Sequence, residues 1–162
     1  MDRALFVVTF LSALGAGLNG GLFFAFSVFV MKALGRVAPA SGIAAMQSIN
    51  VAVLNPVFFA AFFGTAALSA LAMIAGLMAW PGAGARYLVV GALLYIAGTI
   101  AVTMLCNVPL NNKLARVAPD SAEGARLWQR YIAEWTAWNH VRTVTSLAAS
   151  ASFIMALVRL AG

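Results

Sequence analysis

The stretch Glu134-Trp-Thr-Ala-Trp-Asn-His-Val-Arg-Thr143 holds the only histidine of the chain, two of its four tryptophans and an arginine. With 64% hydrophobic and 9% charged residues overall, this is where chemistry is expected. A histidine near neutrality serves as general base or acid, and asparagine amides can hold an oxyanion. Tryptophan, tyrosine and phenylalanine make walls for a flat apolar ligand. His140, Asn139 and Arg142 are therefore the candidate catalytic residues, with Trp135 and Trp138 as neighbouring walls. The same side chains also have a structural reading, because tryptophan, arginine and histidine anchor helices at a membrane interface. Composition alone leaves both readings open.

Other chemistries lack their residues. One histidine and one cysteine, with Glu134 in addition, do not make a three-histidine or Cys/His zinc centre, so no metal is expected. A haem held by a single histidine is conceivable but carries no signature here. The acids are Asp2, Asp120, Glu123 and Glu134. Only Glu134 comes near His140, and it lies on another helix face, so a serine-type triad has no support. A proton-coupled transporter would need a carboxylate inside a span, and none is present. Cys106 is the single cysteine and has no internal disulfide partner. The net charge of +6 and pI of about 10.5 come from lysines and arginines placed singly at the ends of apolar blocks. They read as topology signals, and no nucleic-acid partner is expected.

The elements that must carry these residues are membrane spans. A mean hydropathy of +0.97 is beyond that of ordinary soluble domains. Residues 4–31 are 28 residues without a charge, against roughly 20 for a crossing helix, and read as an uncleaved first span. Ala13, Gly17 and Gly21 form a small-residue stripe suited to close packing within the monomer, or to a homo-oligomer. Asn19 points away from that stripe and needs a partner at mid-span, as interhelical glue or as a ligand contact. Residues 37–85 are again uncharged, 49 in all, too long for one crossing. Asn55-Pro56 divides them, because proline removes a backbone donor and turns the preceding residue away from helical geometry. Residues 43–54 are then a short interfacial helix or the bent first half of a kinked one, and 57–80 cross. The third span is 87–106, and Asn107-Val-Pro-Leu-Asn111-Asn-Lys113 reads as a helix stop. Asp120 and Glu123 predict a capping box opening an amphipathic helix whose apolar stripe is Leu127, Trp128, Tyr131, Ile132 and Trp135. This helix leads into a fourth span at 143–158.

The fold class expected is an all-α integral membrane protein. Residues 1–162 form a single four-transmembrane-helix bundle with a kinked second span and an amphipathic helix entering the fourth. Three basic residues on the terminal side against seven on the other put the termini outside by the positive-inside rule, in a plasma or inner membrane. The entrances of spans two and four and the exit of span three share a side. Gln47, Asn50, Asn55, Asn107, Asn111, Trp138, Asn139, His140 and Arg142 are thereby expected to converge in one cavity, with Asn19 and Trp135 as further binding residues.

The strings Leu18-Asn-Gly-Gly-Leu-Phe-Phe-Ala-Phe-Ser27, Leu54-Asn-Pro56, Asn107-Val-Pro-Leu-Asn111 and Trp135-Thr-Ala-Trp-Asn-His-Val-Arg142, in that order, resemble the anthrone oxygenase-like membrane family over nearly the whole chain. The resemblance implies oxidation of an anthrone to an anthraquinone by molecular oxygen with no added cofactor. His140 would be the base, and Asn139, Asn107 or Asn111, helped by Arg142, would steady the enolate oxygen. Fold does not carry function. A non-catalytic bundle binding a lipid, quinone or haem, or supporting a partner complex, is the second reading. On either reading the partners are the bilayer and a small aromatic or lipophilic molecule.

Overall fold

A helix leaves unpaired N–H groups at its start and carbonyls at its end, and here each break in the chain has a local means of satisfying them. The computed structural model describes residues 2–161 and is all-helical over them. Four of its helices are long and apolar enough to cross a membrane, so the chain is an integral membrane protein. The first, α1 (Arg3–Leu34), holds α geometry to Ala25 and widens to a π-helical stretch over Phe26–Val30. Helix α2 (Pro39–Ala52) starts on Pro39, where a missing N–H costs nothing. At Asn55 the backbone is extended, with φ −130° and ψ 159°. One side-chain amide then closes two helix ends. Asn55 Oδ1 accepts from the Phe58 N–H at 2.9 Å, starting α3 (Pro56–Met78), and Asn55 Nδ2 donates to the Ala52 carbonyl at 2.9 Å. The break falls at the predicted dipeptide, and the short separate helix is the alternative that forms.

Helix α4 (Ala85–Leu114) corrects one expectation, since it runs straight through the predicted stop at 107–113. Two π-helical stretches, Leu94–Ala101 and Thr103–Asn107, precede Pro109. Their wider register has already left the α ladder, so a residue without an N–H is tolerated there. Helix α5 (Ala122–Ala161) is 40 residues long. Its cap is Ser121, whose Oγ accepts from the Gly124 N–H at 2.9 Å; the expected Asp120 capping box does not form, because the hydroxyl one residue later occupies the capping position. Its first half is amphipathic as predicted, with Trp128, Tyr131 and Trp135 buried and Arg126, Arg130 and Glu134 exposed.

The four long helices pack in a ring: α1 lies against α3 and α5, and α4 against α3 and α5. Small residues let the backbones approach. A Cβ on Gly91 would meet the Phe153 ring at 2.9 Å. The small face of α1 is Ala13, Ala16 and Gly20 rather than the Ala13-Gly17-Gly21 stripe expected, and Gly21 is exposed. The 3.6-residue period centres the buried face on positions 12, 16, 19 and 23, so a strict four-residue stripe drifts off it. Two apolar clusters result. One, at the level of the spans, includes Ala16, Ala72, Leu88, Tyr95 and Phe153. The other is built from Met31, Ile43, Met46, Leu114, Trp128 and Tyr131 and joins α2 to the charged ends of α1, α4 and α5.

Candidate functional site

Between the two clusters is a cavity of about 380 Å³, within the range of roughly 300–1,000 Å³ usual for small-molecule sites. Its walls are overwhelmingly apolar. Phe23 and Phe26 come from α1, and Phe58, Phe59, Phe62 and Phe63 from the first two turns of α3. Met46, Ile49 and Asn50 of α2 roof it, and Thr103, Met104, Val108 and Asn111 of α4 with Trp135 and Arg142 of α5 complete it. The roof is pinned by Gln47, whose Nε2 donates to the carbonyls of Leu114 at 2.8 Å and Val117 at 3.0 Å. Gly42 lets the Trp128 ring lie directly on α2, where a Cβ would meet it at 2.8 Å.

Arg142 is the only ionic group lining this cavity, and it is 6% exposed. Its Nε donates to Asn139 Oδ1 at 2.9 Å, and Nη1 makes a long contact of 3.4 Å with Thr103 Oγ1. The guanidinium carbon sits 4.2 Å from the centre of the Phe23 ring and 4.7 Å from that of Trp135. Among the described residues no carboxylate pairs with it; the one salt bridge there joins exposed Arg130 and Glu134 at 3.4 Å. A guanidinium taken out of water costs several kcal/mol unless charge or hydrogen bonds offset it. Here two neutral oxygens and two ring faces do part of that, and the remaining N–H donors have no acceptor among the described residues. The site is electrostatically incomplete and suited to an anionic oxygen.

Asn139, an expected oxyanion donor, is spent on structure. Its Nδ2 donates to the Phe23 carbonyl and to Ser27 Oγ, both at 2.7 Å, while its Oδ1 holds Arg142. It therefore positions the guanidinium and ties α5 to α1. Asn111 has its Oδ1 saturated by the Tyr131 hydroxyl and Trp135 Nε1, each at 2.8 Å. Those two donors fix the amide orientation, and its Nδ2, without an acceptor among the described residues, is a second donor on the cavity wall. Asn107 lies behind Trp135, donating to its carbonyl at 3.1 Å, with Oδ1 unpartnered among the described residues. Asn50 lines the roof. Asn19 bridges α1 to α3 through the Gly15 carbonyl at 2.8 Å and the Ala61 carbonyl at 3.2 Å, the glue role allowed for it. Asn55 is the helix cap described above.

His140 and Trp138 do not join the cavity. His140 is exposed and lines a separate depression with Ser27, Lys32 and Thr136, and Trp138 is 42% exposed. The cause is rotation: two residues along a helix turn through about 200°, so His140 and Arg142 face opposite ways, whereas Trp135, Asn139 and Arg142 share one stripe. The same period carries the unused signal for Phe58 and Phe62, which stack with ring centres 5.3 Å apart. Phe23 as a ring under the guanidinium had no sequence signal beyond its type.

A family model described as anthrone oxygenase matches residues 57–152, more than half of the chain. That stretch contains α3, α4 and the part of α5 bearing Trp135, Asn139 and Arg142. No curated protein and no solved structure matches the chain.

Proposed function

The chain belongs to the anthrone oxygenase family, and from that premise we propose that it is a membrane oxygenase converting the activated methylene of a phenolic polycyclic aromatic ketone to a carbonyl with molecular oxygen. The observation that carries the reading is the buried, carboxylate-free guanidinium of Arg142 on the wall of an aromatic cavity. A hydroxylated anthrone stacks between the phenylalanine walls with its carbonyl oxygen toward Arg142. Loss of a methylene proton gives an enolate that is itself an aromatic phenolate. Neither a carboxylate nor an imidazole lines the cavity, so the acidity is the substrate's own, and Arg142 with Asn111 Nδ2 favours the anion. The enolate gives one electron to oxygen, and the radical and superoxide combine at the former methylene carbon as a peroxide. The peroxide takes up the first proton, and its O–O bond then breaks as the second methylene proton leaves with the departing hydroxide, giving one carbonyl and one water per oxygen molecule. No added cofactor enters this scheme.

The absence of a base from the cavity walls also favours a second reading, a bundle that stores a quinone, lipid or haem. Oxygen uptake and quinone formation from a dihydroxyanthrone, measured on purified protein in detergent together with its visible absorption spectrum, separate the two. Protein-dependent oxygen consumption matched one to one by quinone supports the oxygenase. A protein that consumes none, or that carries a resident haem or quinone band, overturns it.

A further inference from the structure

We propose that this cavity receives its ligand sideways from the bilayer, through an opening between α3 and the second half of α4, as a neutral lipophilic aromatic that ionises only on reaching Arg142. The proposal rests on the cavity being the oxygenase site. Helix α3 packs closely against α4 along Ala85–Leu93 and Leu94–Ala101, and that close packing ends before Thr103. Where the helices part, Phe59, Phe63 and Met104 line the cavity and are also 40%, 46% and 48% exposed. Phe63 lies seven residues beyond Pro56, about 10 Å along the axis, inside a hydrocarbon layer roughly 30 Å thick. The outer surface of the gap is therefore acyl chain, not water.

The roof is fastened by contrast: Met46 is 1% exposed, Gln47 ties α2 to the end of α4, and Trp128 packs on α2. The one strongly exposed residue lining the cavity on that side is the apolar Leu54, at the corner between α2 and α3. Arg142 is carried by α5, the helix diagonal to α3 in the ring. A molecule coming through the gap crosses only aromatic and aliphatic surface before it meets the cation. A permanently charged or heavily polar molecule would lose its hydration in the lipid with nothing to replace it. A neutral, flat phenol or ketone partitions there already and gains a counter-ion at the end of the path.

The test uses proteoliposomes and a dihydroxyanthraquinone probe, whose visible band moves to the red on ionisation, followed by stopped-flow absorbance. Met104→Trp, which narrows the gap, is expected to slow association by at least about tenfold and to slow dissociation as well. Phe63→Ala, which widens the gap, should speed association, and Gln47→Ala, which loosens the roof, should leave both rates as they are. Rates that respond to Gln47→Ala and ignore the two gap variants overturn the lateral route while leaving the oxygenase reading in place. If the probe does not bind, or binds without its red shift, the Arg142 reading fails instead. The opening is then judged by a nitroxide at position 104, introduced as Met104→Cys in a Cys106→Ser background. Relaxation by oxygen but not by a water-soluble nickel chelate supports a lipid-facing gap, and broadening by the chelate overturns it.

Discussion

Replacing Arg142 by glutamine should nearly abolish turnover and leave the fold about as stable as before, which is the reverse of what a structural arginine would do. The losses are one charged hydrogen bond to Asn139, worth roughly 1.5–3 kcal/mol, and two ring contacts at about 0.5–2 kcal/mol each. The contact with Thr103, at 3.4 Å, adds little. Against these stands the desolvation of an unpaired buried cation, several kcal/mol, which the glutamine relieves while still reaching Asn139. The two sides cancel to within about 2 kcal/mol, a shift of a few degrees in Tm. Catalysis has no such compensation. Removing the cation from the enolate oxygen should lower kcat by about 10² to 10³-fold, the usual cost of one oxyanion donor. Arg142→Lys keeps charge but loses the planar fork and ring contact, and should fall between. The assay is quinone formation from a dihydroxyanthrone per folded molecule, with thermal unfolding in the same detergent. An Arg142→Gln protein that keeps its activity, or that unfolds many degrees lower while the folded fraction works normally, refutes the reasoning.

Two further outcomes follow from the geometry. His140→Gln should change turnover by less than about threefold, against the 10² to 10⁴-fold loss expected of a general base; steady-state oxygen consumption decides, and a loss of that size would restore His140 as the base. Gly42→Val should destabilise the α2 roof by about 1–3 kcal/mol through overpacking against Trp128 and the Leu34 carbonyl, seen as faster amide hydrogen exchange in α2, and unchanged exchange there would refute that contact.

The spans were legible because uncharged blocks and single basic residues state membrane boundaries almost directly. Asn55-Pro56 was legible because proline's missing donor acts locally. The run through Pro109 was not, since the π-helical stretches of α4 depend on packing against α5, where Gly98 meets Thr145, and no local propensity encodes that register. Arg142 and Asn139 were found from residue type, but their division of labour needed the third dimension: nothing in the sequence says that Asn139 will spend its amide on Ser27 and Phe23. His140 differs again. Its separation from Arg142 was available from the helical period alone, and residue type, being the only histidine, outweighed spacing.

The two apolar clusters are held by different thermodynamics. The one formed by α2 with the charged ends of α1, α4 and α5 exchanges water for protein on assembly, so its loss should expose hydrated surface and carry a positive heat-capacity change. The other exchanges lipid tails for protein and gains packing rather than release of water, so its unfolding leaves heat capacity nearly flat. Calorimetric cooperativity measured on this protein will therefore report mainly on the roof. Cooling weakens only that half, and the cavity, seated on the boundary, loses its cover on the cold side while the spans beneath it stay assembled.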